Sequence, residues 1–251
     1  MLYFILLLEQ LSDVMSATNE TIDEFFKNAS SLNMQPPNPI DIDLRCSKIL
    51  LISDFHLGKN ETIENDLDTL SKGLHRVFVQ EKPDVIFVLG DMIDGTCVNP
   101  LMAYFKTVGR LQNLLKPVYF IGGNHDRTFI PPLIANVNFT KFIHLITDPY
   151  MILPTNPRTF LAHDVLLNIR IRDSVVYNYA SKLRKFVNAI RSDEYFCIGH
   201  AHTQLITDQN KTFSIGQFSP KYGRYEYATI QTKNFQPFIT LKKLEPQNDE
   251  L

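Results

Sequence analysis

The sequence has few of the residues that define a disulfide-stapled protein or a polyanion-binding protein. It contains only three cysteines, Cys46, Cys97 and Cys197, which are widely spaced and odd in number, so no disulfide framework is predicted. The formal net charge is −2, so nucleic acid is not expected as a partner unless a local basic patch exists. Internal repeats and low-complexity tracts are also absent from the sequence.

The hydrophobic run at the amino terminus is short. The apolar run over residues 2–8 is too short for a transmembrane helix, and no Lys or Arg precedes it as in a signal peptide. Ser16-Ala17 would nevertheless suit cleavage, and five tripeptides match the glycosylation acceptor pattern. We therefore expect a cytoplasmic protein, and the alternative is a secreted or membrane-associated one that uses residues 1–17.

A proline-rich segment separates this amino terminus from the remainder of the chain. The run Met34-Gln-Pro-Pro-Asn-Pro39 is typical of a linker, because proline breaks both helices and strand ladders. We predict an N-terminal extension over residues 1–39 and one well-cored domain over residues 40–245, for which the hydrophobic content of 44% is ample.

Side chains that can bind metals follow five short apolar segments, each of which is typical of a buried strand. The segments are residues 49–53, 85–89, 118–121, 159–162 and 195–198. The side chains that follow them are those of Asp54, His56, Asp91, Asn124, His163, His200 and His202. Because open α/β folds keep their sites at the carboxyl ends of strands, we expect these seven side chains in one site.

The spacing of apolar residues between these segments predicts the remaining elements. Three- and four-residue steps predict helices over residues 63–77, 101–111 and 176–190, and the alternation of strands and helices predicts a largely parallel sheet. Residues 142–161 are typical of hairpin strands, and the last third of the chain is typical of antiparallel strands. Two sheets packed face to face, with helices outside, accommodate both halves. His75 and His144 lie outside the strand-end loops and are expected to be hydrogen-bonded core residues.

The seven candidate ligands comprise two aspartates, one asparagine and four histidines, without a thiolate. This set suits Mn, Fe, Zn or Co better than Mg or Ca, which prefer shells of oxygen atoms only. Seven ligands also exceed what one tetrahedral ion takes, so we expect two divalent or trivalent transition-metal ions.

In their order along the chain, these motifs resemble the signature of the calcineurin-like metallophosphoesterase superfamily, in particular its small phosphodiesterases. The matching motifs are Asp54-x-His56, Gly90-Asp91, Gly123-Asn124-His125-Asp126, His163 and Gly199-His200-x-His202. The resemblance covers residues 49–203. It implies an α/β fold, a four-layer αββα sandwich of two mixed β-sheets flanked by helices, and metal-dependent cleavage of a phosphomonoester or phosphodiester.

The resemblance also implies a role for each residue. Asp54, His56 and His202 would hold the first ion, Asn124, His163 and His200 the second, and Asp91 would bridge the two. A hydroxide bridging the ions, with manganese the best-suited metal, would attack the phosphorus. His125 would assist the leaving group, while Asp126 would orient the ring of His125 and support its positive form.

Several alternatives stay open at this point. The fold also serves as a non-catalytic scaffold in protein interactions, and nuclease-like members act on nucleic acid. We expect a small-molecule or lipid-linked phosphoester as the substrate, membrane contact only through the N-terminal segment, and no particular oligomeric state. Asp94 is either a supporting residue or a turn residue, and the following cations face either a substrate phosphate or solvent: Lys59, Arg127 and Arg224.

Overall fold

The computed structural model describes residues 42–59, 63–126, 142–146, 150–163, 194–207, 211–219 and 222–245. The predicted extension over residues 1–39 and the helix predicted over residues 176–190 lie outside the described residues. The domain boundary at residue 40 therefore stays a prediction. Neither helix within the described ranges is long and apolar enough to cross a membrane.

The described elements alternate between strands and helices in the first half of the chain and consist of strands in the second half. In chain order they are β1 (Lys48–Ile52), α1 (Ile63–Glu81), β2 (Val85–Leu89), α2 (Pro100–Gln112), β3 (Val118–Ile121), β4 (Ile143–Ile146), β5 (Tyr150–Leu153), β6 (Thr159–Ala162), β7 (Tyr195–Ile198), β8 (Gln204–Thr207), β9 (Thr212–Ile215), β10 (Phe218–Ser219), β11 (Arg224–Lys233) and β12 (Gln236–Lys243).

Two mixed sheets organise these strands. The first sheet has seven strands in the order β10-β11-β1-β2-β3-β4, with β12 paired to β11. Its central strands β1 to β4 are parallel, whereas β11 is antiparallel to β1. The second sheet has five strands in the order β5-β6-β7-β9-β8, with parallel pairs at its centre and an antiparallel pair at each edge.

Successive side chains of the central strands point to opposite faces of the sheet, and they pack into two separate cores. In β1, the side chains of Leu50 and Ile52 pack with the buried faces of α1 and α2. The intervening side chains of Ile49 and Leu51 pack with residues of the second sheet, such as Leu161 and Cys197. The first sheet is therefore buried on both faces, by helices on one side and by the second sheet on the other.

Local sequence explains where both helices begin. The first turn of α1 carries Glu64 and Asp66, whose charges suit the positive end of the helix dipole. At α2, the side chain of Asn99 caps the helix by accepting a hydrogen bond from the backbone N–H of Met102 over 3.1 Å. Pro100 follows the cap, at the position where a missing N–H does no harm.

The structure confirms the predicted fold class of two mixed sheets with helices outside, and it corrects three details. Strand β4 lies within the segment predicted as hairpin strands, but it pairs in parallel with β3. Of the strands in that segment, β5 and β6 form the hairpin. His75 and His144 were expected in the core, and both are exposed. The ring of His144 stacks on Tyr119, its partner on the neighbouring strand, with 4.7 Å between ring centroids.

Candidate metal centre

The carboxyl ends of strands from both sheets meet at one place. Backbone hydrogen bonds join the loop after β1 to the loop after β2: Asp54 donates to Gly90 over 3.0 Å, and His56 donates to Asp91 over 3.0 Å. In the second sheet, Gly199 donates to Ala162 over 3.3 Å. Within each sheet, the segments that carry the predicted ligands are thus joined by the backbone before any side chain is considered.

The backbone of these loops is unusual, because five of the predicted ligands adopt left-handed conformations that non-glycine residues rarely take. The residues and their φ angles are Asp54 (60°), His56 (48°), Asp91 (49°), His200 (60°) and His202 (53°). Such strain clusters at functional sites, where the surrounding structure over-determines it. No sequence pattern predicted this feature.

Two glycines allow the loops to approach each other. A Cβ atom on Gly123 would lie 2.1 Å from Oδ1 of Asp91 and 2.3 Å from its backbone nitrogen. A Cβ atom on Gly199 would lie 2.1 Å from Oγ of Ser53 and 2.9 Å from Oδ2 of Asp54. These glycines are therefore required by space, since any side chain would displace a candidate ligand.

The first group of candidate ligands comprises Asp54, His56, Asp91 and His202, whose ligand atoms all lie within 4.8 Å of one another. The Nε2 atoms of His56 and His202 are 3.0 Å apart. Oδ1 of Asp54 lies 3.2 Å from Nε2 of His202 and 3.8 Å from Nε2 of His56. Three of these residues are buried, and His202 is half-buried.

The second group comprises Asp91, His163 and His200, with Asn124 beside them. Oδ2 of Asp91 is 3.2 Å from Nε2 of His163. Oδ1 of Asn124 is 3.1 Å from Nε2 of His163 and 3.0 Å from Nδ1 of His200. Nδ1 of His163 lies 2.6 Å from the carbonyl of Leu89, to which it donates, so the lone pair of this ring lies on Nε2.

The burial and charge of these residues fit metal ions. Oδ1 of Asp54 is buried and has no hydrogen-bond partner among the described residues. Burial would raise the pKa of Asp54, but contacts with His202 and His56 hold that pKa far below its usual range. Burial likewise opposes ionisation of Asp91, and His163 outweighs it, so the pKa of Asp91 is lowered to about 2. Two ionised, buried carboxylates facing imidazole nitrogens favour a cation between them.

His125 and Asp126 lie beside the two groups, but their contacts differ from the prediction. Nδ1 of His125 accepts a hydrogen bond of 2.7 Å from the backbone N–H of Gly95. The carboxylate of Asp126 accepts from the backbone N–H groups of Met92, Ile93 and Gly123 over 3.3, 3.2 and 2.9 Å. The predicted contact between Asp126 and the ring of His125 is therefore wrong: a fully buried carboxylate takes the nearest amide donors instead.

Asp126 thus holds the loop after β3 against the loop after β2. Burial has the largest effect on the pKa of Asp126, and the negative charge of Asp91 acts in the same direction. Together they raise this pKa to about 7 despite the amide donors. The carboxyl group is embedded in backbone and contributes to the site through the position of the loop.

Asp94, which sequence reasoning left open, lies against His56. Its Oδ1 accepts from the backbone N–H and the hydroxyl of Thr96 over 2.9 and 2.7 Å. Its Oδ2 is 3.5 Å from Nδ1 of His56, and its ligand atoms lie within 4.8 Å of those of His56 and His125. The position of Asp94 is that of a residue that orients a metal-binding imidazole from behind.

The structure describes two of the three candidate phosphate-facing cations, and both are exposed. Arg224 donates from Nη1 to the carbonyl of His202 over 3.1 Å. Nζ of Lys59 donates to the hydroxyl of Tyr222 over 3.3 Å, and this bond, with the charge of Asp94 further away, raises the pKa of Lys59. Sequence reasoning missed Tyr222. Arg127 lies outside the described residues.

Comparison with known proteins identifies the family. The sequence profile of the calcineurin-like phosphoesterases matches residues 47–237, which is most of the chain. The protein therefore belongs to the calcineurin-like phosphoesterase family and is a phosphoric ester hydrolase, and its ligand cluster fits divalent metal ions.

Solved structures with a similar fold include three phosphoesterases or phosphatases. A predicted phosphoesterase from Streptococcus pneumoniae is 14% identical, with 79% of this chain and 98% of that chain covered, at a TM-score of 0.39. A dimetal phosphatase from Danio rerio is 12% identical, with 78% and 95% covered, at a TM-score of 0.48. Yfce, a phosphoesterase from E. coli, is 17% identical, with 79% and 100% covered, at a TM-score of 0.45.

Proposed function

We propose that the protein hydrolyses a phosphomonoester or phosphodiester with the help of two transition-metal ions, for which manganese is the best-suited metal. The observation that carries the proposal is that Asp91 belongs to both ligand groups at once. Asp54, His56 and His202 would hold one ion and Asn124, His163 and His200 the other, with Asp91 common to both. The ions, when bound, would lower the pKa of a water molecule and neutralise charge on the phosphoryl oxygens.

The side chains prepare this site in three ways. Burial of Asp54 and Asp91 keeps bulk water from the carboxylates that would hold the ions. The hydrogen bond from His163 to the carbonyl of Leu89 fixes the ring so that Nε2 faces Asp91. Asp94 stands behind His56 and supports the orientation of its ring in the same way.

His125 is proposed to act on the substrate rather than on the metals. Its ring meets His56 edge-on, with 4.9 Å between centroids, and its Nε2 lies 3.9 Å from Oδ2 of Asp91. Because Nδ1 accepts from Gly95, the ring carries its proton on Nε2, on the side of the ligand cluster. From there it can donate to a phosphoryl oxygen or to the departing oxygen of the ester.

The test uses the full-length protein, stripped of metal with a chelator and reloaded separately with Mn, Fe, Co or Zn. Release of product is measured from a generic phosphomonoester and a generic phosphodiester, and bound metal is counted by elemental analysis. We expect turnover that requires metal, about two ions per chain, and loss of metal in Asp91→Asn. The ester that is hydrolysed faster decides between phosphatase and phosphodiesterase.

Two results would contradict the proposal. Turnover that is unchanged after metal removal would exclude the metal-dependent mechanism. Stoichiometric metal uptake without turnover of either ester would instead point to the non-catalytic scaffold, and the search would move to protein partners.

A further inference from the structure

Two exposed cations lie in segments that adjoin the first ligand group. We call Lys59, Tyr222 and Arg224 the basic rim. Lys59 follows the first ligand loop, whereas Tyr222 and Arg224 come from the turn before β11 and the start of that strand. The hydrogen bond between Lys59 and Tyr222 and the one from Arg224 to the carbonyl of His202 bring these distant segments together beside one candidate ligand. All three side chains are exposed.

Arg224 contrasts with six other cations of the described residues, which lie next to a carboxylate. Carboxylates lie within 4.0 Å of the charged groups of Arg45, Lys48, Lys106, Arg110, Arg158 and Lys242. The guanidinium of Arg224, like that of Arg76, instead donates to a neutral backbone carbonyl, and no carboxylate of the described residues pairs with Arg224. The carbonyl that holds Arg224 belongs to His202, a candidate metal ligand. A carbonyl fixes the guanidinium without neutralising it, so its charge and its other N–H groups stay available to an anion.

The phosphoryl group that is attacked has partners of its own, apart from the rim. The seven candidate ligands and His125 surround the place where its oxygens would be neutralised. Neither cation belongs to this cluster: Arg224 contacts the backbone carbonyl of His202, and Lys59 contacts Tyr222. Their charge therefore suits a different anionic group of the same substrate, at a distance from the reacting phosphorus.

We propose that the basic rim binds a second phosphate of the substrate, so that the preferred substrate is a diphosphate ester rather than a simple monoester. This inference rests on the proposed function and names its substrate class. Attack of water on the terminal phosphorus would break the bond to the bridging oxygen and release inorganic phosphate. The bridging oxygen would stay with the second phosphate, which takes the proton or stays ionised and remains on the rim. Lys59 and Arg224 are then specificity-determining residues, and Tyr222 positions Lys59.

The kinetic test compares AMP with ADP, which differ by one phosphate, on the Mn-loaded full-length protein at fixed free Mn. We expect a KM for ADP about tenfold below that for AMP, since one charge-assisted contact of about 1.4 kcal/mol has this effect. In Lys59→Ala and in Arg224→Ala, the ratio of the two KM values should fall toward one. Arg224→Lys should retain part of the preference, and Tyr222→Phe should lose part of it.

Lys116→Ala is the matched control, because Lys116 lies just before the amino end of β3, whereas the site lies at the carboxyl ends of the strands. It removes one positive charge and should keep the wild-type ratio. Elemental analysis of each variant checks that the loss of the Arg224 bond has not displaced His202 from the metals. Equal KM values for AMP and ADP in the wild type, or a ratio unchanged in both alanine variants, would overturn the inference.

A binding measurement separates the inference from the proposed function. Calorimetric titration with α,β-methylene-ADP and with AMP requires no turnover. Tighter binding of the diphosphate analogue, lost in Lys59→Ala and Arg224→Ala, would support the rim even if neither nucleotide were hydrolysed. Equal binding of the two, alongside hydrolysis of a generic monoester, would reject the rim and leave the proposed function standing.

Discussion

The backbone N–H of Gly95 donates a hydrogen bond of 2.7 Å to Nδ1 of His125. A backbone donor cannot exchange roles, so this contact selects the tautomer whose proton is on Nε2. A Cβ atom on Gly95 would lie 2.8 Å from Nδ1, so the loop must pass close to the ring. His125 therefore presents a hydrogen-bond donor on the side of the ligand cluster, and an amide, not Asp126, orients its ring.

The first prediction concerns His125→Ala. The variant should lower kcat by about 10²–10⁴-fold, the usual contribution of a positioned proton donor, while binding as much metal as the wild type. Steady-state kinetics and elemental analysis on the same preparation check both parts. A variant that loses metal together with activity would show that His125 is a ligand.

The second prediction concerns Asp94→Asn. An amide retains the shape of the side chain but presents a weaker acceptor to the ring of His56, so metal affinity or activity should fall about 10–100-fold, as for other residues that support a ligand. Calorimetric titration of the metal-free protein with Mn measures the affinity. Thr96→Val is the control, since it removes the hydroxyl bonded to the other oxygen of Asp94 and leaves the carboxylate facing His56.

The third prediction compares two Gly→Ala variants. Gly123→Ala should abolish metal binding and activity, because its methyl group would collide with Oδ1 and the backbone nitrogen of Asp91. Gly109→Ala adds the same methyl group within α2, where nothing lies within 4 Å, and should raise the free energy of unfolding by about 0.5–1 kcal/mol. Thermal unfolding with and without Mn measures both. A Gly123→Ala variant that still gains stability from Mn would contradict the geometry.

Much of this architecture could be predicted because buried strands have a simple signature. The apolar segments over residues 85–89, 118–121 and 159–162 coincide with β2, β3 and β6, and the polar residues that follow them do meet at one site. An uninterrupted apolar run bounded by glycine or a carboxylate contains this information locally, so no tertiary knowledge is needed.

The details that could not be predicted depend on contacts between distant segments. The composition of β4 fits an edge strand, yet nothing in it specifies a parallel partner over a hairpin partner. Asp126 follows His125 in sequence, but its carboxylate bonds to amides 33 and 34 residues away, because burial demands donors. The left-handed backbone at Asp54, His56 and Asp91 is likewise imposed by the meeting of loops from two sheets, and no pattern of residue types encodes it.

The last prediction concerns Glu81, at the end of α1, which the sequence did not single out. Its buried carboxylate accepts from Lys242 over 2.8 and 2.9 Å and from the hydroxyl of Tyr227 over 2.9 Å, and Nζ of Lys48 is 2.7 Å away. These contacts join α1 to β1, β11 and β12. Burial alone would raise the pKa of Glu81, but the bonds from Lys242, Lys48 and Tyr227 outweigh it and hold the pKa below its usual range.

A carboxyl group whose pKa is lower in the folded state stabilises the fold above its unfolded pKa of about 4.3, and this stability is lost as the pH falls through the folded pKa. Glu81→Gln should therefore lower the free energy of unfolding by about 1–3 kcal/mol at pH 7 and by progressively less below pH ~4. Urea denaturation of the metal-free proteins at both pH values measures the difference. Glu64 lies on the same helix as Glu81 and forms an exposed ion pair with Lys106 of α2, so Glu64→Gln should change stability little at either pH. A Glu81→Gln deficit of equal size at pH 7 and pH 3.5 would mean that the hydrogen bonds alone, and not the charge of Glu81, stabilise this junction.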